Sequence, residues 1–226
     1  HQTSPTVAAL YLDPEQSNIT GTITIFDTNT PSGQNDFRIN STVALGNLII
    51  QGNNNPSAIL SINPLTVSGD LEVNAGASLD GNGLTLTLEG DFTNDGIYIP
   101  GSNETIFDGS SDQVFSGSGT GDFYDLTKLN SGTLDIAKDA SVAGLFSLLE
   151  GVIDDNGNSI LLLGNALIDG THLSSGSGNG ITFGGSSTQQ LYRSASGTGI
   201  FGTVTIDNGA GVIIPDGNGY NFTIQS

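Results

Sequence analysis

The sequence lacks several residue types, and each absence excludes a kind of chemistry. It contains no cysteine, so disulfides and thiolate metal sites are excluded. Its two histidines, His1 and His172, are too few for a histidine-rich metal site. No apolar run approaches the roughly 20 residues that a membrane-spanning helix needs, and no signal peptide is recognisable. We therefore expect no insertion into a membrane.

Basic residues are nearly as scarce. The chain carries 4 Lys+Arg against 23 Asp+Glu, for a formal net charge of −19 at pH 7. Such a surface repels phosphate backbones and anionic lipid head groups, so nucleic acids and membrane surfaces are not expected partners. Among small partners, the charge favours cations.

Turn-forming residues and short β runs dominate what is present. The chain has 33 Gly and is rich in Asn, Ser and Thr, which disfavour helix interiors. Runs such as "TITIF" (22–26), "LTLTL" (84–88) and "ILLL" (160–163) are separated by turn residues, and no run of helical period interrupts them. With 35% hydrophobic residues the chain can bury a sizeable core. This pattern predicts an all-β protein.

One long phrase occurs twice. "FDGSSDQVFSGSGTGDF" (107–123) returns as "FGGSSTQQLYRSASGTGIF" (183–201), with the same opening and the same Gly-Thr-Gly before the closing Phe. Weaker matches flank both copies, so a unit of roughly 75 residues occurs about three times, the first and last copies incomplete.

The repeat predicts a solenoid. We expect a right-handed parallel β-helix with coils of about 20 residues, in which each strand pairs with its equivalent one coil away and about four coils make one unit. An immunoglobulin-like sandwich would show longer strands and would not need the repeat. In the β-helix, Phe107 and Phe183 should occupy equivalent interior positions, and Gln113 and Gln189 should hydrogen-bond the turn backbone.

The domain organisation follows from the extent of the repeat. Residues 1–40 fit the pattern less well and are predicted to form an atypical first coil or cap, whereas residues 41–226 form the β-helix repeats. The chain contains no Met and begins at His1, which suggests a processed or excised product. No capping segment can be recognised after Asn221, so we expect Ser226 not to be the biological terminus and the chain to be a fragment of a longer one.

The repeated segments resemble those of a known group of proteins. "LTVSGDLEVNAGASLDGNGLTLTLEGDFTNDG" (65–96) and "TIFDGSSDQVFSGSGTGDFYDLTKLN" (105–130) are similar in texture and spacing to segments of large secreted surface proteins of Bacteroidetes, the adhesin-like cargo of type IX secretion. The likeness covers the chain from about residue 45 onward and includes no catalytic signature. It implies a surface-anchored or secreted adhesin-like stalk.

Candidate catalytic groups are few. His172 lies in "DGTHLSSG" and is interpreted as a surface turn residue, and no G-x-S-x-G motif marks a nucleophile. Paired carboxylates such as Asp154 and Asp155 serve β-helical enzymes that act on acidic polysaccharides, but those enzymes also need nearby basic groups. The basic residues here are scattered along the chain: Arg38, Lys128, Lys138 and Arg193.

Calcium is the one cation for which the sequence offers candidate ligands. "DGNG" occurs at residues 80–83 and 216–219, and "DDNGN" occurs at 154–158. Corners of this kind present carboxylate and carbonyl oxygens, which calcium prefers, but none is a complete EF-hand loop. We favour Asp and Asn as turn formers here and expect no required cofactor. The candidate calcium ligands are Asp80, Asp154, Asp155 and Asp216.

Two classes of function stay open on the sequence. The favoured hypothesis is a non-enzymatic structural or adhesive stalk module, extracellular or on a bacterial cell surface, whose partners are other segments of the same long chain and an extracellular glycan or other surface ligand. The alternative is an extracellular β-helix that binds or cleaves carbohydrate. A cleft with clustered Asp and a nearby Arg or Lys would favour a cleaving enzyme.

Overall fold

All the regular structure in the described part of the chain is β-strand. The computed structural model describes residues 8–12, 18–30, 36–175, 180–215 and 221–225, and no helix occurs in these ranges. Accordingly, the described chain offers no helix that could cross a membrane. The strands are β1 (Ala8–Leu12), β2 (Asn18–Ile25), β3 (Asp36–Ser41), β4 (Ala44–Ile50), β5 (Ser57–Leu60), β6 (Leu65–Val67), β7 (Leu71–Val73), β8 (Ser78–Asp80), β9 (Leu86–Leu88), β10 (Phe92–Asn94), β11 (Ile97–Ile99), β12 (Glu104–Phe107), β13 (Gln113–Ser116), β14 (Asp122–Phe123), β15 (Asp125–Lys128), β16 (Thr133–Ile136), β17 (Ala140–Val142), β18 (Phe146–Leu148), β19 (Val152–Asp154), β20 (Ser159–Leu162), β21 (Ala166–Ile168), β22 (Thr171–Leu173), β23 (Gly180–Phe183), β24 (Gln189–Tyr192), β25 (Ile200–Phe201), β26 (Val204–Ile206), β27 (Val212–Ile213) and β28 (Thr223–Ile224).

The strands stack as a parallel β-solenoid of about nine turns, with coils of about 21 residues. This confirms the predicted fold class. After the first coil, each coil contributes one strand to each of three faces, and the chain visits them in a fixed order. Face A contains β6, β9, β12, β15, β18, β21, β24 and β27, and face B contains β7, β10, β13, β16, β19, β22, β25 and β28. Face C consists of two five-stranded sheets, β1, β3, β5, β8 and β11 followed by β14, β17, β20, β23 and β26. The long strands β2 and β4 run across faces A and B.

Residues 1–40 enter the solenoid through their described strands. Backbone pairing joins β1 to β3 with Ala8 opposite Phe37, and joins β2 to β4 with Ile23 opposite Leu48. The pairing of β2 with β4 shifts register between Ile19 and Thr22, so this coil is less regular than those that follow.

The core is a set of inward ladders. Most of the short strands alternate buried and partly exposed positions, as half-buried strands do. On face A, an inward row runs through six consecutive coils as Leu65, Leu86, Thr105, Leu126, Phe146 and Ala166. In the middle of the solenoid the ladders are aromatic: Phe115 lies 5.3 Å from Phe92 and 5.0 Å from Phe123 between ring centroids.

The repeated phrase builds the same corner twice. Oε1 of Gln113 accepts a hydrogen bond from Gly109 N at 2.8 Å, while Nε2 donates to the carbonyls of Leu88 at 3.0 Å and Gly90 at 2.6 Å. Gln189 makes the same three kinds of bond to Gly185, Leu162 and Gly164. The predicted turn-bonding role of both glutamines is confirmed.

The two copies nevertheless lie on different faces. Phe107 and Phe183 are both buried, as predicted, but Phe107 belongs to β12 on face A and Phe183 to β23 on face C. The prediction of equivalent positions in the coil is therefore wrong. The physical reason is that the unit spans eleven strands, whereas one coil uses three, so the second copy begins two thirds of a turn out of phase.

Aspartate side chains join consecutive coils at the corners. Each carboxylate accepts a hydrogen bond from a backbone N–H about one coil later, for example Asp91 Oδ1 from Val114 N at 2.9 Å. This bond satisfies a corner N–H that the strand ladders leave unpaired. The acidic composition of the chain thus has a structural cause. Among the described residues, eight aspartates act in this way: Asp70, Asp91, Asp95, Asp112, Asp125, Asp139, Asp154 and Asp169.

Candidate functional site

The predicted calcium ligands lie in separate places. Asp80 ends β8 on face C, and Asp154 ends β19 on face B, eleven strands later. Asp155 follows Asp154 directly, and Asp216 lies outside the described residues. Of the three described residues, the structure brings only Asp154 and Asp155 together, as adjacent residues.

One oxygen of each of the carboxylates of Asp80 and Asp154 already accepts hydrogen bonds from the backbone. Asp80 Oδ1 accepts from Asn82 N at 2.7 Å, and Asp154 Oδ1 accepts from Asn156 N at 2.9 Å and Ser175 N at 3.1 Å. Asn82 and Asn156 have positive φ angles, of 50° and 48°, which asparagine tolerates. Within the described ranges, no group of three or more His, Cys, Asp or Glu side chains could hold a metal ion.

Asp155 forms the centre of a buried polar cluster. Its Oδ2 lies 3.1 Å from His172 Nε2 and accepts a hydrogen bond from Ser174 Oγ at 2.5 Å, while its Oδ1 accepts from Gly157 N at 2.9 Å. The side chains of Asp155 and His172 are fully buried. On the other side of the imidazole ring, Gly202 N donates to His172 Nδ1 at 3.3 Å.

This arrangement cannot act as a nucleophilic triad. In a triad the histidine lies between the serine and the aspartate, and its free nitrogen takes the serine proton. Here the aspartate lies between His172 and Ser174. Because Gly202 N–H donates to Nδ1, the neutral imidazole carries its proton on Nε2 and donates it to Asp155. Both ring nitrogens of His172 are engaged in hydrogen bonds, to Asp155 of the preceding coil and Gly202 of the following coil, so the cluster joins three coils.

The interpretation of His172 as a surface turn residue is wrong. His172 is the inward residue of β22, opposite Ile153 of the preceding coil. Burial lowers the pKa of His172 below its ordinary value, and the nearby Asp155 and Asp154 offset only part of this effect. Asp154 differs: burial raises its pKa, but hydrogen bonds from Ser175 and Asn156 leave it lowered overall. The feature of the sequence that could have placed His172 inside the solenoid is Ile153, the apolar residue at the same position one coil earlier.

Stability should depend on pH through His172. The unfolded chain takes up a proton on this residue near pH 6.5, whereas the folded chain resists it, so stability is present above that pH and is lost as the pH falls. For this group alone we expect a loss of up to about 2 kcal/mol between pH 7 and pH 5. Urea unfolding of the wild type and of His172→Gln measures it. The stability advantage of the wild type should shrink toward pH 5; an advantage that is equal at both pH values contradicts the prediction.

Both lysines donate hydrogen bonds to backbone carbonyls. Lys128 is fully buried on β15, where its Nζ donates to the carbonyls of Leu129 and Asn130. Lys138 Nζ donates to the carbonyls of Gly119 at 2.6 Å and Thr120 at 3.1 Å. Burial lowers the pKa of both lysines, and nearby carboxylates offset part of it.

Arg193 also donates hydrogen bonds to backbone carbonyls. Its Nη1 donates to the carbonyls of Thr198 at 3.0 Å and Asn221 at 2.6 Å. Arg38 lies exposed on face C, in β3. The clustered Asp and nearby basic group of a polysaccharide-cleaving site are therefore not assembled around Asp154 and Asp155 in the described part of the chain.

A groove of about 360 Å³ runs along the corner between faces C and A. We call it the corner groove and define it by the side chains of Tyr124, Asp125, Leu145, Leu163 and Asn165. The ladder that joins β15, β18 and β21 places Asp125, Leu145 and Asn165 one above the other in three consecutive coils. The groove could not be predicted from the sequence, because its members in successive coils lie about 20 residues apart and share no motif.

Glycines leave the corner groove open. A Cβ atom on Gly144 would lie 2.2 Å from Asp125 Oδ1 and 3.2 Å from the Tyr124 ring, and a Cβ on Gly164 would lie 1.9 Å from the Gly144 carbonyl oxygen. Only glycine fits such close approaches between coils. The backbone therefore forms part of the wall beside the Tyr124 ring.

The fold places this chain in the class of parallel β-solenoids. Comparisons with protein-family models, with curated proteins and with solved structures find no match.

Proposed function

We propose that this chain is a non-enzymatic structural and adhesive module, a stiff stalk segment of an extracellular or bacterial cell-surface protein. One observation carries the proposal: aspartate, glutamine and lysine side chains that could have formed a reactive site instead make hydrogen bonds to the backbone of neighbouring coils. The surface location is part of the proposal and rests on the resemblance to secreted surface proteins. The proposal requires no cofactor.

The geometry gives this role a mechanical basis. About nine coils spaced by roughly 4.8 Å make a rod about 43 Å long. Each coil is joined to the next by parallel strand pairs on its faces and by aspartate bonds at its corners. Pulling along the axis therefore loads several hydrogen bonds together. The formal charge of −19 keeps neighbouring rods apart.

Two measurements on the whole chain test the stalk against an enzyme. Pulled between terminal handles, the chain should stay folded as one stiff element and then unfold in coil-sized steps, as repeat proteins do. Incubation with neutral and acidic polysaccharides should release no reducing ends and no unsaturated products. Cleavage by the wild type that disappears in the Asp154→Asn/Asp155→Asn double variant would overturn the stalk and support an enzyme.

A further inference from the structure

We propose that the corner groove is a binding site for a short stretch of neutral glycan. This inference deepens the proposed function and rests on it, because it assigns a place and a ligand class to the adhesive role. The groove volume of about 360 Å³ lies within the range of small-ligand sites.

The groove presents an apolar surface of the kind that the C–H face of a sugar ring contacts. Tyr124 is 38% exposed, Leu145 40% and Leu163 44%, and all three belong to the same groove. Exposed aromatic and aliphatic groups next to one another cost free energy in water and gain it when an apolar face covers them. The Tyr124 ring lies beside Gly144, where an added Cβ atom would come within 3.2 Å of it.

Two polar side chains in the groove, Asp125 and Asn165, are each held by one hydrogen bond and keep a second polar atom for a ligand. Asp125 Oδ1 accepts from Leu145 N at 2.5 Å, and Asn165 Oδ1 accepts from Gln190 N at 2.8 Å. Each side chain is thereby held in place by the coil that follows it. Within the described residues, Asp125 Oδ2 and Asn165 Nδ2 have no hydrogen-bond partner. An acceptor and a donor thus stand two coils apart, about 10 Å along the axis.

This combination fits sugar hydroxyls, which both donate and accept hydrogen bonds. A carboxylate oxygen accepts from hydroxyls, an amide nitrogen donates to them, and the apolar wall between contacts the ring. The span of about 10 Å corresponds to about two sugar units. Preorganised polar groups raise affinity because little freedom is lost when the ligand binds.

Charge and backbone pairing set the ligand class. The carboxylate of Asp125 and the net charge of −19 disfavour uronic and sulfated glycans. An extended peptide would dock by pairing with free backbone groups, but groove N–H groups are already bonded: Gly144 N donates to the Tyr124 carbonyl at 2.7 Å, and Leu145 N and Gln190 N are held by Asp125 and Asn165. A neutral glycan meets both conditions.

The test uses the full chain on an array of neutral oligosaccharides that also carries uronate and sulfated oligosaccharides. Any neutral hit is then titrated calorimetrically. Tyr124→Ala should weaken binding about tenfold or abolish it. Asp125→Asn and Asn165→Asp keep Oδ1 as the acceptor for the next coil and change only the free atom, so they should fold normally and weaken binding about three- to tenfold. Asp91→Asn is the matched control at the corner between faces A and B, and it should bind like the wild type.

The outcomes separate this proposal from the stalk. Binding of neutral oligosaccharides that the three groove variants weaken and the control keeps supports the groove. No neutral hit, or hits that the folded groove variants retain, overturns it and leaves the stalk intact, because Asp125→Asn and Asn165→Asp keep the Oδ1 bonds that join the coils. Capture of uronate or sulfated glycans alone also overturns it. Neutral binding followed by cleavage keeps the site and overturns the non-enzymatic stalk.

Discussion

Replacing Phe115 by alanine is expected to lower the free energy of unfolding by about 4 kcal/mol. The Phe115 ring is buried and packs 5.3 Å from Phe92, 6.4 Å from Phe107 and 5.0 Å from Phe123 between centroids. Lys138 Nζ also lies 5.3 Å from the centre of this ring. Removing the ring leaves a cavity in the middle of the aromatic ladders, where coils on both sides have little freedom to close it.

Equilibrium unfolding in urea measures the effect. Tyr124→Ala is the matched control, because that ring is 38% exposed and its removal should change stability by about 0.5 kcal/mol or less. Equal effects of the two substitutions would contradict the assigned core.

Replacing Gln113 by alanine is expected to cost about 3 to 4 kcal/mol, although glutamine is usually a surface residue. The substitution leaves Gly109 N–H and the Gly90 carbonyl without their partner in a buried corner. Each unsatisfied group costs about 1 to 3 kcal/mol. Gln189→Ala should cost a similar amount, because Gln189 makes the same bonds in the second copy.

The control for both glutamine variants is Gln190→Ala. Gln190 is the neighbour of Gln189 in β24 and points outward, so its loss should change stability by about 0.5 kcal/mol or less. Denaturation midpoints of the three variants test the assignment. A large loss for Gln113 and none for Gln189 would show that the two corners are not alike.

Much of the fold could be predicted from the sequence because the determinants are local. Short β runs separated by Gly, Asn and Asp turns predict strands and corners, and the repeated phrase predicts a solenoid. The roles of Gln113 and Gln189 followed from the need to satisfy buried amides. The repeat length alone could not predict on which face of the coil the second copy begins, because roughly 75 residues can be divided into strands and coils in more than one way.

The sites were harder to predict because they depend on stacking between coils. His172 was assigned to the surface from its polar neighbours, yet its place in β22 aligns it with the buried Ile153. Lys128 is polar but occupies an inward position between Phe107 and Leu148 of the adjacent coils. The corner groove combines residues from successive coils, so no short sequence window contains it.

Because of the phase shift, the two copies of the unit are related by a screw operation along the axis of the rod. Each copy advances by eleven strands, which is about 18 Å along the axis, and turns the next copy by two thirds of a revolution. In any series of such copies, a feature carried by every unit would trace a spiral and would return to the same azimuth with every third copy. Equivalent features would then be offered in three directions, so that the rod could be approached from any side without being rotated.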